Sequence, residues 1–183
     1  MLNNIAAIMG GAAPEVGDYE SIQTITVGSG GQASAEFTSI SSAYKHLQIR
    51  FTAIPSSAAS GYRIRGQFNS DTGNNYATHL LFGSGTAIAS AAGSSISQFS
   101  VGSSVQGLTG SQTVVGILDV LDYASTNKYK TARSLSGGDF NGSGEVAFNS
   151  GLWMNTNAIT SIKLYFDTAN LNQYSSFALY GIK

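Results

Sequence analysis

The residues able to do chemistry are few, and their spacing settles what they can do. A serine or threonine nucleophile needs a histidine base and an acid to orient it, and the chain holds two histidines, His46 and His79. His46 has outward parity in a strand-like run, His79 lies among Ala77, Leu80 and Leu81, and neither stands in a G-x-S-x-G setting. Paired carboxylates for glycoside cleavage would have to come from ten acids, of which Asp119 and Asp122 have opposite parity and point to different faces. The run Asp139-Phe-Asn-Gly-Ser-Gly-Glu145 opens like a calcium loop, but its glutamate arrives at the seventh position rather than the twelfth and no helical pattern flanks it. It reads as a turn. Gly28-Ser-Gly-Gly31 is followed by no helix-forming run and no Lys-Ser/Thr pair, so it reads as a hairpin turn rather than a phosphate loop. With no cysteine, thiolate metal sites and disulfides are excluded. The expectation is a protein that is not an enzyme and carries no metal or cofactor.

Binding chemistry is better represented. Trp153 and the nine tyrosines are able to stack on a sugar ring beside Asn-rich loops, which makes Trp153 a candidate glycan contact; the competing reading places it in the core or in a subunit interface. Arg50, Arg63 and Arg65 lie on two alternating runs, Lys45 to Ala53 and Tyr62 to Phe68. If those runs are neighbouring strands, the three guanidiniums share one outer face and form a candidate partner-contact patch for carboxylates. An ordinary solvated face is the alternative.

Composition narrows the partners. Charged residues make up only 10% of the 183 residues and the net charge is -1, against a usual charged share of about 25%. No basic field exists to hold nucleic acid or an anionic membrane. Apolar residues reach 42%, yet no run approaches the roughly 20 residues needed to cross a bilayer. A surface covered by Ser, Thr, Asn, Gln and Gly resists association poorly in a free monomer, so occupied flanks are expected, as in a homo-oligomer.

The elements that position these residues follow from periodicity. Met1 to Met9 places Leu2, Ile5 and Ile8 or Met9 near one helical face, and no Lys or Arg precedes Lys45, so residues 1–18 are read as a docking arm rather than a secretory signal. Gly10-Gly11 and Pro14 end any helix, and so short a segment must find a surface for its apolar side. Tyr19 to Lys183 is one all-β domain, an antiparallel β-sandwich or jelly roll of nine or ten strands. Its organising stretch is Thr113 to Leu135, a hairpin with Ala124 to Lys128 as loop, which sets Asp119 against Arg133, Leu121 against Thr131, Asp122 against Lys130 and Tyr123 against Tyr129. Val114 to Val120 is apolar on both alternating sets, the pattern of a central strand covered on both faces. Residues 83–110 are Gly, Ser and Ala with few anchors, for which one or two short strands and long loops are expected.

Several segments carry a resemblance. Thr26-Val-Gly-Ser-Gly-Gly31, Phe37-Thr-Ser-Ile40, Tyr44-Lys-His-Leu-Gln-Ile-Arg50, Leu121 to Thr131, Ser150-Gly-Leu-Trp153, Ala158-Ile-Thr-Ser-Ile162 and Phe177 to Lys183 resemble those of a family of small proteins encoded by tailed bacteriophages of aquatic bacteria. The likeness covers most of Tyr19 to Lys183 and leaves out residues 1–18 and the Ser-Gly-rich middle. It implies a virion structural protein on the outer surface of the particle and brings no catalytic residues. Combined with low charge and the apolar arm, it leads to the expectation of a capsid decoration or cement subunit (a head fibre or knob). This would be a homotrimer, anchored to the major capsid protein through Leu2, Ile5, Ile8 and Met9. The alternative is a tail-fibre or receptor-binding module whose arm docks to tail proteins and whose loops meet a host surface glycan.

Overall fold

A computed structural model of the chain describes residues 17–57, 63–102, 112–139 and 141–183. Residues 1–16 of the docking arm, Tyr62 and residues 103–110 of the Gly-, Ser- and Ala-rich stretch lie outside the described residues. Among those described there are twelve strands, no helix, and hence no helix long and apolar enough to cross a membrane.

Strands β1 (Tyr19–Thr26), β12 (Ser176–Ile182), β3 (His46–Ala53) and β8 (Val114–Leu121) lie side by side in that order. Facing them is a second sheet in the order β2 (Ala35–Phe37), β11 (Ile162–Phe166), β4 (Ile64–Phe68) and β7 (Phe99–Ser100). Two inserted hairpins, β5 (Tyr76–Gly83) with β6 (Ile88–Ile96) and β9 (Lys130–Asp139) with β10 (Gly144–Trp153), extend the first sheet to eight strands in the order β1-β12-β3-β8-β9-β10-β5-β6. The chain changes sheet at every connection except β5 to β6, β8 to β9 and β9 to β10. That is jelly-roll connectivity. All pairings are antiparallel.

The core is the space between the sheets. Leu47, Ile49 and Phe51 on β3 and Phe177 and Leu179 on β12 point inward from one side, and Ile162, Leu164 and Phe166 on β11 from the other. Each such side chain contributes about 2 kcal/mol by leaving water. Phe68, Tyr76, Phe99 and Trp153 form an aromatic nest with ring centroids 4.9 to 6.5 Å apart. Phe99 enters it over Gly66 and Gly151, where an added Cβ would stand 2.5 Å from its ring.

The sandwich and the strand runs agree with the sequence pattern; four details do not. Asp119↔Arg133 and Leu121↔Thr131 pair as expected, but the ladder stops there because Asp122 takes φ 47. Asp122 then meets Lys128 and His46 rather than Lys130, Tyr123 turns into the core, and Tyr129 stays exposed. Gly28 to Gly31 is a turn but not a hairpin. Gly30 and Gly31 take φ 100 and 69, and Gly31 lies so close to the Leu171 carbonyl that a Cβ would sit 2.7 Å from it, so the chain crosses to the other sheet. Residues 88–96 form a nine-residue edge strand rather than a short one. Finally, β8 is central in its sheet, yet only one of its faces is covered: Val114, Leu118 and Val120 are buried while Val115, Ile117 and Leu121 are exposed.

Candidate functional site

The strand parity that sends Trp153 inward removes it from any surface role. It is 1% exposed, lies against Tyr76 with centroids 6.5 Å apart, and donates its indole N–H to Asp71 Oδ2 at 2.7 Å. A sugar has no access to its face, so the glycan-contact expectation at Trp153 is corrected to a core role.

The three arginines do not form a patch, because β3 and β4 belong to opposite sheets. Arg65 is half-buried and committed: Nη2 and Nε donate to Asp167 Oδ2 at 3.0 and 3.2 Å, and Nη1 to Ser100 Oγ at 2.7 Å. Arg63 is fixed through its backbone N–H to Asp167 Oδ1 at 3.1 Å. Arg50 alone faces outward on the large sheet, its guanidinium 5.1 Å from the Tyr180 ring centroid and 5.8 Å from that of Tyr19.

The histidines are equally separated. His46 Nδ1 accepts the Asp122 N–H at 3.0 Å, which fixes the turn after β8, and the Asp122 carboxyl is held below its ordinary range chiefly by its hydrogen bond from Lys128. His79 is exposed on β5 between Ser150 and Ala92. Among the described residues no three His, Asp or Glu side chains are grouped to hold a metal.

What the fold does assemble is an apolar surface on the outer face of the large sheet. The pairings align Thr52, Val115, Gly137, Val146, Gly83 and Ile88 in one row across it. The next outward row is Arg50, Ile117, Leu135, Phe148, Leu81 and Ser90. Phe148 is 61% exposed, Val146 59% and Ile88 82%. Because Gly137 has no side chain, a groove of about 480 Å³ opens between Val115 and Val146, with Ile117 and Leu135 along it and Arg50 at its rim. A polar chain borders this field in the following row. Arg133 Nε donates to Asp119 Oδ2 at 3.2 Å, Gln48 Nε2 to Asp119 Oδ1 at 2.9 Å, and Arg50 Nε to Gln48 Oε1 at 2.9 Å. The charges are thus tied to one another, and the apolar rows beside them carry none except Arg50. Apolar patches of this extent on a folded surface mark contact sites.

Only half of this surface was visible in the sequence. The doubly apolar pattern of β8 pointed to cover on both sides; the matching outward set on β9, β10 and β5 (Leu135, Val146, Phe148, Leu81) was readable by parity but needed the β10–β5 pairing to be joined to it. No protein-family model, curated protein or solved structure matches the chain.

Proposed function

We propose that this chain is a non-enzymatic structural subunit of a tailed-bacteriophage particle, a capsid decoration or cement protein carried as a homotrimer on the outer surface of the virion. Residues 1–18 fasten it to the major capsid protein, with Leu2, Ile5, Ile8 and Met9 as the buried contacts. The observation that carries the reading is the broad, largely apolar outer face of the eight-stranded sheet, beside which Asp119 and Arg133 pair with each other. Such a body is suited to being packed among other subunits rather than to turning over a ligand. The low charge of the whole chain and the segment resemblance support the same assignment.

An arm of about 10 residues that orders on docking loses several kcal/mol of conformational entropy, so apolar burial and the multivalency of an oligomer must offset it. Deleting residues 1–13 is expected to leave a folded protein that no longer binds particles in a co-sedimentation assay with capsids lacking the endogenous subunit. Undiminished binding by the truncated protein overturns the arm's role. With Trp153 buried, a receptor-binding function of the tail-fibre kind has no aromatic sugar platform at that position.

A further inference from the structure

We infer that the outer face of the eight-stranded sheet, centred on Val115, Ile117, Leu135, Val146 and Phe148, is covered in solution by other copies of this chain. The identification of the surface and its occupant does not depend on where in a particle the protein resides.

Area comes first. Eight strands at about 4.8 Å spacing and some eight residues long at about 3.4 Å each give a face of roughly 1,000 Å². A standard interface buries about 800 Å² per partner, so a stable self-contact would take the two apolar rows, roughly 330 Å² over five strands, as its centre and the polar rows of the same face as its rim. Its centre also has the expected composition, apolar and aromatic in the middle with the Arg133–Asp119–Gln48–Arg50 chain to one side.

Charge selects the same occupant. A net charge of -1 means that two identical copies meet with almost no Coulomb repulsion, and the apolar rows offer a charged partner only Arg50, at the edge of the groove. A second copy brings the one surface known to be equally wide, equally apolar and equally free of net charge. The two inserted hairpins, β5–β6 and β9–β10, supply Leu81, Leu135, Val146 and Phe148, so the additions that enlarge the jelly roll are also what make the face apolar.

The chain's own leading segment is the competing occupant, and the geometry disfavours it. The described chain leaves the sheet at β1, where Tyr19 pairs with Ile182 at the edge farthest from β6. From there to Phe148 is five strand spacings across and four residues along, about 28 Å, a traverse of some eight extended residues. The rest of residues 1–16 would then hold only Leu2, Ile5, Ile8 and Met9 against a face two rows deep and five strands wide.

The test uses the full-length protein and two single variants, Ile117→Glu and Phe148→Glu, in analytical ultracentrifugation. Wild type is expected at a small multiple of 19.0 kDa, and each variant to dissociate at concentrations at least about thirtyfold higher than wild type, with its circular dichroism unchanged. The natural absence of cysteine provides a second readout. A thiol introduced by Val146→Cys should react slowly with a maleimide in the associated protein and fast once Phe148→Glu is added. A wild type that stays monomeric at about 100 µM, where even a weak oligomer of this area would form, overturns the proposal. So does an oligomer that neither variant weakens. If wild type is monomeric but deletion of residues 1–16 makes it associate, the leading segment is the occupant and the proposal again fails.

Discussion

The indole N–H of Trp153 donates to the Asp71 carboxylate at 2.7 Å and ties the last residue of β10 to the loop that follows β4. The same carboxylate accepts from the Gly73 N–H at 2.9 Å and from Asn75 Nδ2 at 3.0 Å. Burial by itself would raise the Asp71 pKa, but the hydrogen bonds from Trp153, Asn75 and Gly73 outweigh it and hold the group below its ordinary value of 3.8. One acid thus organises a loop and aligns the largest side chain of the core.

Asp71→Asn should therefore destabilise the fold by about 1–3 kcal/mol at neutral pH, because an amide cannot accept all of these donors. A carboxylate with a lowered folded-state pKa stabilises fully above its unfolded value and loses that contribution as pH falls through the folded value. The gap between wild type and variant, read by urea unfolding, should be constant above 3.8 and close below it. A gap that persists in strong acid contradicts the role assigned to the ionised group.

Lys130 is completely buried, and its ammonium donates to the carbonyls of Lys128 at 2.9 Å and Thr156 at 3.0 Å. Loss of solvation, followed by the charge of Lys128, pushes its pKa below 10.5. In the window between that lowered value and 10.5 the unfolded chain binds more protons, so this group makes stability rise with pH. Lys130→Met should remove that rise, measured as the difference between the two unfolding curves from pH 8 toward 10.5. An unchanged slope refutes the assignment.

Gly151→Ala places a methyl 2.5 Å from Cδ2 of Phe99, inside the contact between the two sheets. The expected cost is about 1–3 kcal/mol, visible as a lower midpoint in denaturant with unchanged slope. Combining it with Phe99→Leu should recover part of the loss, since the ring is what the methyl meets.

Arg65→Lys gives up the forked contact with Asp167 and the bond to Ser100 and should cost about 1–2 kcal/mol. Arg50→Lys, on the exposed outer face, should stay within about 0.5 kcal/mol. Equal effects at both positions would argue against the division of these arginines between sheets.

Local alternation was enough to find nearly every strand, because Leu47, Ile49 and Phe51, or Ile162, Leu164 and Phe166, carry their burial in their own spacing. The Asp119 and Arg133 register was likewise legible, being fixed by side chains that meet across one short turn. Sheet membership was not. Whether β4 follows β3 as a neighbour or crosses to the other layer depends on Phe68, Phe99 and Trp153 finding one another, contacts far apart in sequence. For that reason the grouping of Arg50, Arg63 and Arg65 failed, and the choice between a surface and a core place for Trp153 was decided only by its contacts with Phe68 and Tyr76. The long β6 was hidden because Ala, Ser and Gly fit a strand without announcing one.

The pairing of Tyr19 with Ile182 places the entry of β1 beside the exit of β12, and the Lys183 N–H closes on the Asp18 carbonyl at 3.1 Å. Tension applied through residue 18 along the strand axis would load the ladder from Tyr19 to Thr26 in parallel, so all its rungs must rupture at once. Tension applied sideways would peel the same ladder rung by rung, beginning at Tyr19. The body therefore grips a tether firmly in one direction and weakly in the other, and the angle of pull decides its mechanical strength.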